Sequence, residues 1–202
     1  MKVKTAEFVT SAPDYEGCPE SDRPEFAFIG RSNVGKSSLI NLLAGKQGLA
    51  KVSSKPGKTA LINFFNINDS WTLVDLPGYG YARRSAEEQE KFNEFVSDYA
   101  AQRPNLACLF LLIDGKIPPQ KSDLLFLQWI VEHEIRFCLI FTKGDRVKPT
   151  QLKKNIEAFM TEAQHFVAGT PKTIACSAKT GRGQGEILQF VDEVIRAWKK
   201  ST

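Results

Sequence analysis

Short apolar runs alternate with segments of helical periodicity along most of the chain. Four runs have the length and composition of buried strands: residues 25–29, 106–113, 137–141 and 172–175. Helices are predicted where apolar residues recur three or four positions apart, or where capping residues flank the segment: 36–43, 85–101, 122–132, 151–167 and 187–198. This alternation indicates an α/β fold with three layers, in which helices cover both faces of a mostly parallel sheet.

A turn-forming trio, Asn68-Asp69-Ser70, separates two more strand-like segments at residues 61–67 and 71–74. The pattern predicts a hairpin that adds one antiparallel edge strand, which makes the sheet six-stranded. Residues 1–24 contain three prolines and are predicted to form an irregular N-terminal arm. We therefore expect one domain over residues 25–200.

The composition is that of an ordinary globular chain. Of 202 residues, 42% are hydrophobic and 25% are charged, which excludes global disorder. The longest unbroken apolar run, residues 106–113, has eight residues, whereas a membrane-spanning helix needs about 20. No apolar leader opens the chain, and its four cysteines form no Cys-x-x-Cys pair. We expect a cytoplasmic monomer with no membrane insertion, no disulfide framework and no structural metal.

A phosphate-binding loop follows the first strand of the predicted domain. The glycines of Gly30-x-x-x-x-Gly35-Lys36-Ser37 let backbone N–H groups point at phosphate oxygens, and the helix that starts there adds its positive dipole end. The Lys36 ammonium would reach the β- and γ-phosphates, and the Ser37 hydroxyl would ligate Mg²⁺. The residues expected to bind nucleotide here are Gly30, Arg31, Ser32, Asn33, Val34, Gly35, Lys36 and Ser37.

Three further polar segments, each at the end of a predicted strand, indicate a guanine nucleotide. Asp75, which opens Asp-Leu-Pro-Gly, can hold Mg²⁺ through water, and the Gly78 N–H can meet a γ-phosphate. The Asp145 carboxylate can accept hydrogen bonds from N1–H and the 2-amino group of guanine, a donor pair that adenine lacks. The Lys143 stem would lie across the base, and the turn at Ser177-Ala178-Lys179 would present backbone N–H groups to the guanine O6.

These motifs resemble those of the translation-factor-related GTPases, and most closely those of the bacterial EngB family. The matching strings are Gly-Arg-Ser-Asn-Val-Gly-Lys-Ser-Ser at 30–38, Pro-Gly-Lys-Thr at 56–59 and Asp-Leu-Pro-Gly-Tyr-Gly-Tyr-Ala at 75–82. The similarity extends from about Ala6 to the last helix. One departure follows the fourth strand, where the family usually has Asp-x-Arg-His and this chain has Asp114-Gly115-Lys116-Ile117.

The resemblance implies a Mg²⁺-dependent GTPase that acts in assembly of the large ribosomal subunit and is linked to cell division and septation. It implies that Ser37 and Thr59 ligate Mg²⁺, with Asp75 acting through water, and that Lys36, Thr59 and Gly78 are catalytic. The two switch contacts would be made by Gly57, Lys58, Thr59, Ala60 and Leu61, and by Asp75, Leu76, Pro77 and Gly78. The guanine would be held by Thr142, Lys143, Gly144, Asp145, Cys176, Ser177 and Ala178.

Position 79 bears on the rate of hydrolysis. Ras-like enzymes have a glutamine there that orients the attacking water, whereas this chain has Tyr79. The sequence identifies no arginine finger, so we predict slow intrinsic hydrolysis that is raised by a partner or by K⁺. Two interpretations of Asn33 stay open: it binds K⁺ beside the phosphates, or it tightens the loop. Tyr79 and Tyr81 either pack within the switch or face a partner protein.

Basic residues are concentrated in residues 44–60, which carry Lys46, Lys51, Lys55 and Lys58 and no acidic residue, in a chain of net charge +4. This segment lies where the first switch would reorder, so it favours nucleotide-dependent contact with the phosphates of ribosomal RNA. The expected partners are GTP, GDP and the large ribosomal subunit or its precursors. The alternative is a division-site or signalling GTPase that recruits proteins without contacting RNA. The guanine motif disfavours a P-loop kinase.

Overall fold

Seven strands form one mixed sheet in the part of the chain that the structure, a computed structural model, describes: residues 1–50, 61–79 and 96–201. The strands are β1 (Ala6–Ala12), β2 (Glu25–Gly30), β3 (Ile62–Ile67), β4 (Trp71–Asp75), β5 (Leu106–Asp114), β6 (Phe137–Thr142) and β7 (Thr173–Ala175). Their order is β1-β3-β4-β2-β5-β6-β7, and β3 runs antiparallel to both of its neighbours while the other pairs are parallel. The predicted α/β class and the mostly parallel sheet are confirmed.

Helices cover both faces of this sheet, as predicted. The helices are α1 (Lys36–Ala44), α2 (96–102), α3 (Lys121–Glu132), α4 (Pro149–Ala163) and α5 (Gln184–Ser201). Apolar side chains of α1 and α5 pack on one face, and those of α2, α3 and α4 on the other. The predicted start of α2 at Ser85 lies outside the described residues. α4 begins two residues earlier than predicted, because Pro149 fits the first turn of a helix, and it ends at Ala163 and not at residue 167.

The N-terminal segment corrects two predictions, the irregular arm over residues 1–24 and the six-stranded sheet. β1 pairs with β3 from Ala6 to Ala12, so the sheet has seven strands and the hairpin strand β3 lies inside its edge. Both end residues of β1 are buried. The prolines that suggested an irregular arm all come after β1, so they interrupt only the connection to β2.

A buried ion pair joins the N-terminal segment to the domain at the end of the sheet where β2 begins. The Glu25 side chain is 0% exposed and accepts from Arg103 Nη2 at 2.7 Å and from Tyr99 Oη at 2.6 Å. Arg103 also donates to the carbonyl of Pro19. These contacts hold β2, α2 and the connection after β1 together, far along the strands from the carboxyl edge.

Candidate nucleotide site

Strands β2, β4, β5, β6 and β7 run parallel, so their carboxyl ends meet at one edge of the sheet, where α/β folds bind ligands. The predicted site residues that the structure brings to this edge are 30–37 after β2, 75–78 after β4, 142–145 after β6 and 176–178 after β7. Leu61 precedes β3, whose Asn63 pairs with Asp75 of β4. The other predicted first-switch residues, Gly57, Lys58, Thr59 and Ala60, lie outside the described residues.

The phosphate loop turns through two left-handed residues, Asn33 (φ 65°) and Gly35 (φ 103°), before α1 begins. This backbone geometry favours glycine and is tolerated by asparagine, which explains both residue types. Gly30 is required for close packing, since a Cβ there would lie 2.6 Å from the Leu112 carbonyl oxygen. Because the N-cap residue Gly35 has no side chain to accept from the first N–H groups of α1, these groups suit an anion.

The lysine of the loop and the first acid of the second switch form an ion pair. Lys36 Nζ contacts Asp75 Oδ1, and both side chains are largely buried at the ends of α1 and β4. The Lys36 ammonium is therefore held at the mouth of the loop, where a phosphate would compete with the carboxylate for it. Hydroxyl and carboxylate oxygens such as those of Ser37 and Asp75 are the donors that Mg²⁺ prefers, so this part of the site fits the ion.

The first residues of the guanine motif are attached to the phosphate loop. Thr142 Oγ1 donates to the Val34 carbonyl at 2.7 Å, and Lys143 Nζ donates to the Asn33 carbonyl at 2.7 Å. The same ammonium pairs with Asp114 Oδ2 at 2.6 Å. Asp114 opens the loop that departs from the family pattern, so the departure at residues 116 and 117 leaves this contact to the guanine-motif lysine in place.

A short hydrogen bond joins the two loops that are predicted to contact the base. Ser177 Oγ donates to Asp145 Oδ1 at 2.6 Å, and this bond holds the pKa of the Asp145 carboxyl below its usual value. The backbone adds a second link, from the Gly144 N–H to the Cys176 carbonyl at 3.0 Å. Burial raises the pKa of the Cys176 thiol to about 12, so the thiol stays protonated and uncharged. Asp145 is thus an exposed, ionised acceptor at a defined position.

Tyr79 packs inside the protein and does not face a partner. Its ring stacks on Phe126 of α3 with centroids 4.9 Å apart, and its hydroxyl donates to Asp123 Oδ1 at 2.9 Å. Burial raises the pKa of Tyr79 well above its usual range, so the hydroxyl stays a protonated donor. The structure therefore decides this residue in favour of switch packing, whereas Tyr81 lies outside the described residues.

Comparison with known proteins agrees with this geometry. The family model described as "50S ribosome-binding GTPase" matches residues 25–143. A protein of Christiangramia forsetii named "Probable GTP-binding protein EngB" is 50% identical over 194 residues, covering 96% of this chain and 98% of the relative. A protein of the same name from Bacteroides fragilis is 48% identical and covers 96% of both chains. The chain belongs to the EngB family of P-loop GTPases.

A solved structure supports the same assignment at the level of the fold. The crystal structure of a probable GTP-binding protein EngB superimposes on this EngB-family chain with a TM-score of 0.69 at 26% identity, covering 86% of this chain and 99% of that one. Among the helices that the structure describes, none has both the length and the apolar character needed to cross a membrane.

Two acids of this EngB-family site were not among the residues predicted from the sequence. Asp114 ends β5 at the carboxyl edge, and that position was a usable signal because ligand-facing residues gather there. Asp123 lies in the first turn of α3 and carried no such signal. Its contacts with Arg31 and Tyr79 join segments 92 and 44 residues away in the chain.

Proposed function

We propose that this EngB-family GTPase is a guanine-nucleotide-dependent switch in assembly of the large ribosomal subunit, through which it affects cell division and septation. The observation that carries the proposal is the match of residues 25–143 to a family described as 50S ribosome-binding GTPases. The meeting of the nucleotide motifs at one sheet edge supports the switch itself. The protein would act as a cytoplasmic monomer.

Each end of the nucleotide has its own set of proposed contacts. Asp145, ionised and oriented by Ser177, would accept from N1–H and the 2-amino group of guanine, while the stem of Lys143 would lie across the base. At the other end, Lys36 would exchange Asp75 for a phosphate oxygen. Mg²⁺, when bound, neutralises phosphate charge, and Ser37, Thr59 and, through water, Asp75 would hold it.

Slow hydrolysis follows from the position of Tyr79. The Tyr79 ring is buried against α3, and its hydroxyl donates a hydrogen bond to Asp123. Residue 79 is therefore not free to orient a water molecule, as the glutamine of Ras-like enzymes does. Transition-state stabilisation is left to Lys36, the loop N–H groups and the Gly78 N–H. For the purified protein we expect a turnover below about 1 s⁻¹, at the low end of enzyme rates.

We expect K⁺ to raise this rate by at least about tenfold over Na⁺, because a cation beside the phosphates supplies the charge that an arginine finger supplies elsewhere. Asn33 of the phosphate loop would contribute to this cation site, and its left-handed backbone fits the loop turn. The measurement is single-turnover hydrolysis in KCl and in NaCl at equal ionic strength. Equal rates in the two salts would contradict K⁺ activation and assign Asn33 to the turn alone.

Large ribosomal subunits and their precursors are expected to co-sediment with the protein more strongly in a non-hydrolysable GTP analogue than in GDP. Replacing Lys51, Lys55 and Lys58 together with glutamate is expected to abolish this binding, since the reversed charges repel RNA phosphates. The matched control replaces Lys148, Lys153 and Lys154, three exposed lysines near the start of α4, by the same change. Equal loss in both triple variants would indicate nonspecific charge attraction.

A second outcome separates the two hypotheses about the partner. If the wild-type protein binds guanine nucleotides but sediments with ribosomal subunits in neither nucleotide state, the ribosomal proposal fails. The protein-recruiting alternative then becomes the better account, and the lysines of residues 44–60 are solvated surface.

A further inference from the structure

One buried carboxylate contacts both the phosphate loop and the residue after the second-switch glycine. Asp123 of α3 has a side chain that is 1% exposed, and its two oxygens accept from Arg31 Nε at 3.1 and 3.2 Å. The Tyr79 hydroxyl donates to Oδ1 of the same carboxylate at 2.9 Å. Arg31 belongs to the phosphate loop, so a single side chain connects three separate segments.

The backbone of the second switch rests on the phosphate loop at the same place. The Tyr79 N–H donates to the Gly30 carbonyl at 3.2 Å, and the Tyr79 carbonyl accepts from the Ser32 N–H at 3.0 Å. A Cβ at Gly78 would lie 3.0 Å from the Gly30 carbonyl oxygen, so only glycine allows this approach without displacement. Two backbone hydrogen bonds and the close contact at Gly78 therefore fix the Gly78–Tyr79 peptide against the phosphate loop.

The helix that carries Asp123 is packed against the sheet. Helix α3 is fixed to the sheet through the buried side chains of Leu127 and Ile130, and the Tyr79 ring stacks on Phe126 of the same helix. Burial raises the pKa of the Asp123 carboxyl, while the Arg31 guanidinium and the Tyr79 hydroxyl favour its charged form. Removing one partner of a buried charge leaves that charge poorly compensated, so the three groups hold one another in place.

We propose that Asp123 is a positioning residue that, through Tyr79 and Arg31, sets the Gly78 N–H against the phosphate loop and so raises the affinity for the triphosphate without raising that for the diphosphate. The γ-phosphate is the one group that only GTP carries, and Gly78 is the second-switch residue that would meet it. Without the Asp123 contacts, GTP would have to order the Gly78–Tyr79 peptide when it binds, and this ordering costs free energy. GDP has no γ-phosphate and contacts only the phosphate loop, so its affinity would not carry this cost. The inference rests on the proposed nucleotide contacts and is independent of the ribosomal partner.

The test compares dissociation constants for GDP and for a non-hydrolysable GTP analogue in the wild type, Tyr79→Phe and Asp123→Asn. In Tyr79→Phe the affinity for the GTP analogue is expected to fall about tenfold, the size expected for one lost hydrogen bond to a charged group, while that for GDP changes by less than about threefold. Asp123→Asn also weakens the Arg31 pair, so its loss of affinity for the GTP analogue is expected to be at least as large. The double variant should lose less than the sum of the two single losses, because Tyr79→Phe and Asp123→Asn weaken the same contact. Glu132→Gln, an exposed acid of the same helix, is the matched control.

An equal loss for the two nucleotides, or no loss in either variant, would overturn the positioning role. Tyr79→Phe keeps the ring on Phe126 and the Arg31 pair of Asp123, so it remains decisive even if Asp123→Asn does not fold. Failure of the wild type to bind either nucleotide contradicts the proposed nucleotide site instead. The two failures are therefore distinguishable in one experiment.

Discussion

Replacing Asp145 with asparagine is expected to weaken GTP binding by about 10²- to 10⁴-fold, the loss expected when two hydrogen bonds to a charged acceptor are removed. The carboxylate is exposed and ionised, and Ser177 orients it from the neighbouring loop. An asparagine keeps an oxygen that can accept from Ser177, so the loop geometry is retained while the second acceptor becomes a donor. The loss of GTP affinity therefore reports the contact with the base and not a change in the loop.

The same variant is expected to bind xanthosine triphosphate more tightly than the wild type does. Xanthine has a carbonyl where guanine has the 2-amino group, and the new amide N–H₂ can donate to it. Competition binding with both nucleotides measures the exchange of preference. Asp192→Asn is the control, because Asp192 lies on α5 and pairs with Arg196. Unchanged GTP affinity in Asp145→Asn would show that Asp145 does not contact the base.

Replacing Glu25 with alanine is expected to lower the free energy of unfolding by about 3–5 kcal/mol, the cost of removing one partner of a buried ion pair. Glu25 is fully buried, and its removal leaves the Arg103 guanidinium and the Tyr99 hydroxyl without the carboxylate that accepts their hydrogen bonds. Urea denaturation followed by circular dichroism provides the measurement. The Glu25→Ala/Arg103→Ala double variant should lose less than the sum of the single losses, because no charge is then left unpaired.

An exposed pair supplies the comparison for this prediction. Lys172 Nζ and Glu186 Oε1 lie 3.0 Å apart, but both side chains are about half exposed to solvent. Glu186→Ala is therefore expected to cost no more than about 1 kcal/mol. Similar losses for Glu25→Ala and Glu186→Ala would contradict a structural role for the buried pair.

The edge of the sheet shows where local patterns are insufficient. The apolar residues within β1, Phe8 and Val9, are exposed, and the residues it buries at its ends are alanines, so neither alternation nor a strong apolar run marks it as a strand. Its stabilising partner is β3, at least 50 residues later, and no local pattern in the sequence indicates that the two strands pair. Contacts this distant in the chain leave no periodic signal.

The sequence by itself determined the α/β class, the phosphate loop and the family, because these depend on local conformational preference and on residue types at close spacing. Gly35 adopts the left-handed conformation that the loop turn needs, and the apolar runs of β5 and β6 form buried strands, as their local sequence predicts. Only the tertiary structure decided what Tyr79 contacts and which acids, Asp114 and Asp123, hold the loops. These contacts depend on which segments, distant in the chain, the sheet brings together. A polar group that is buried there must form hydrogen bonds with whatever partner lies next to it.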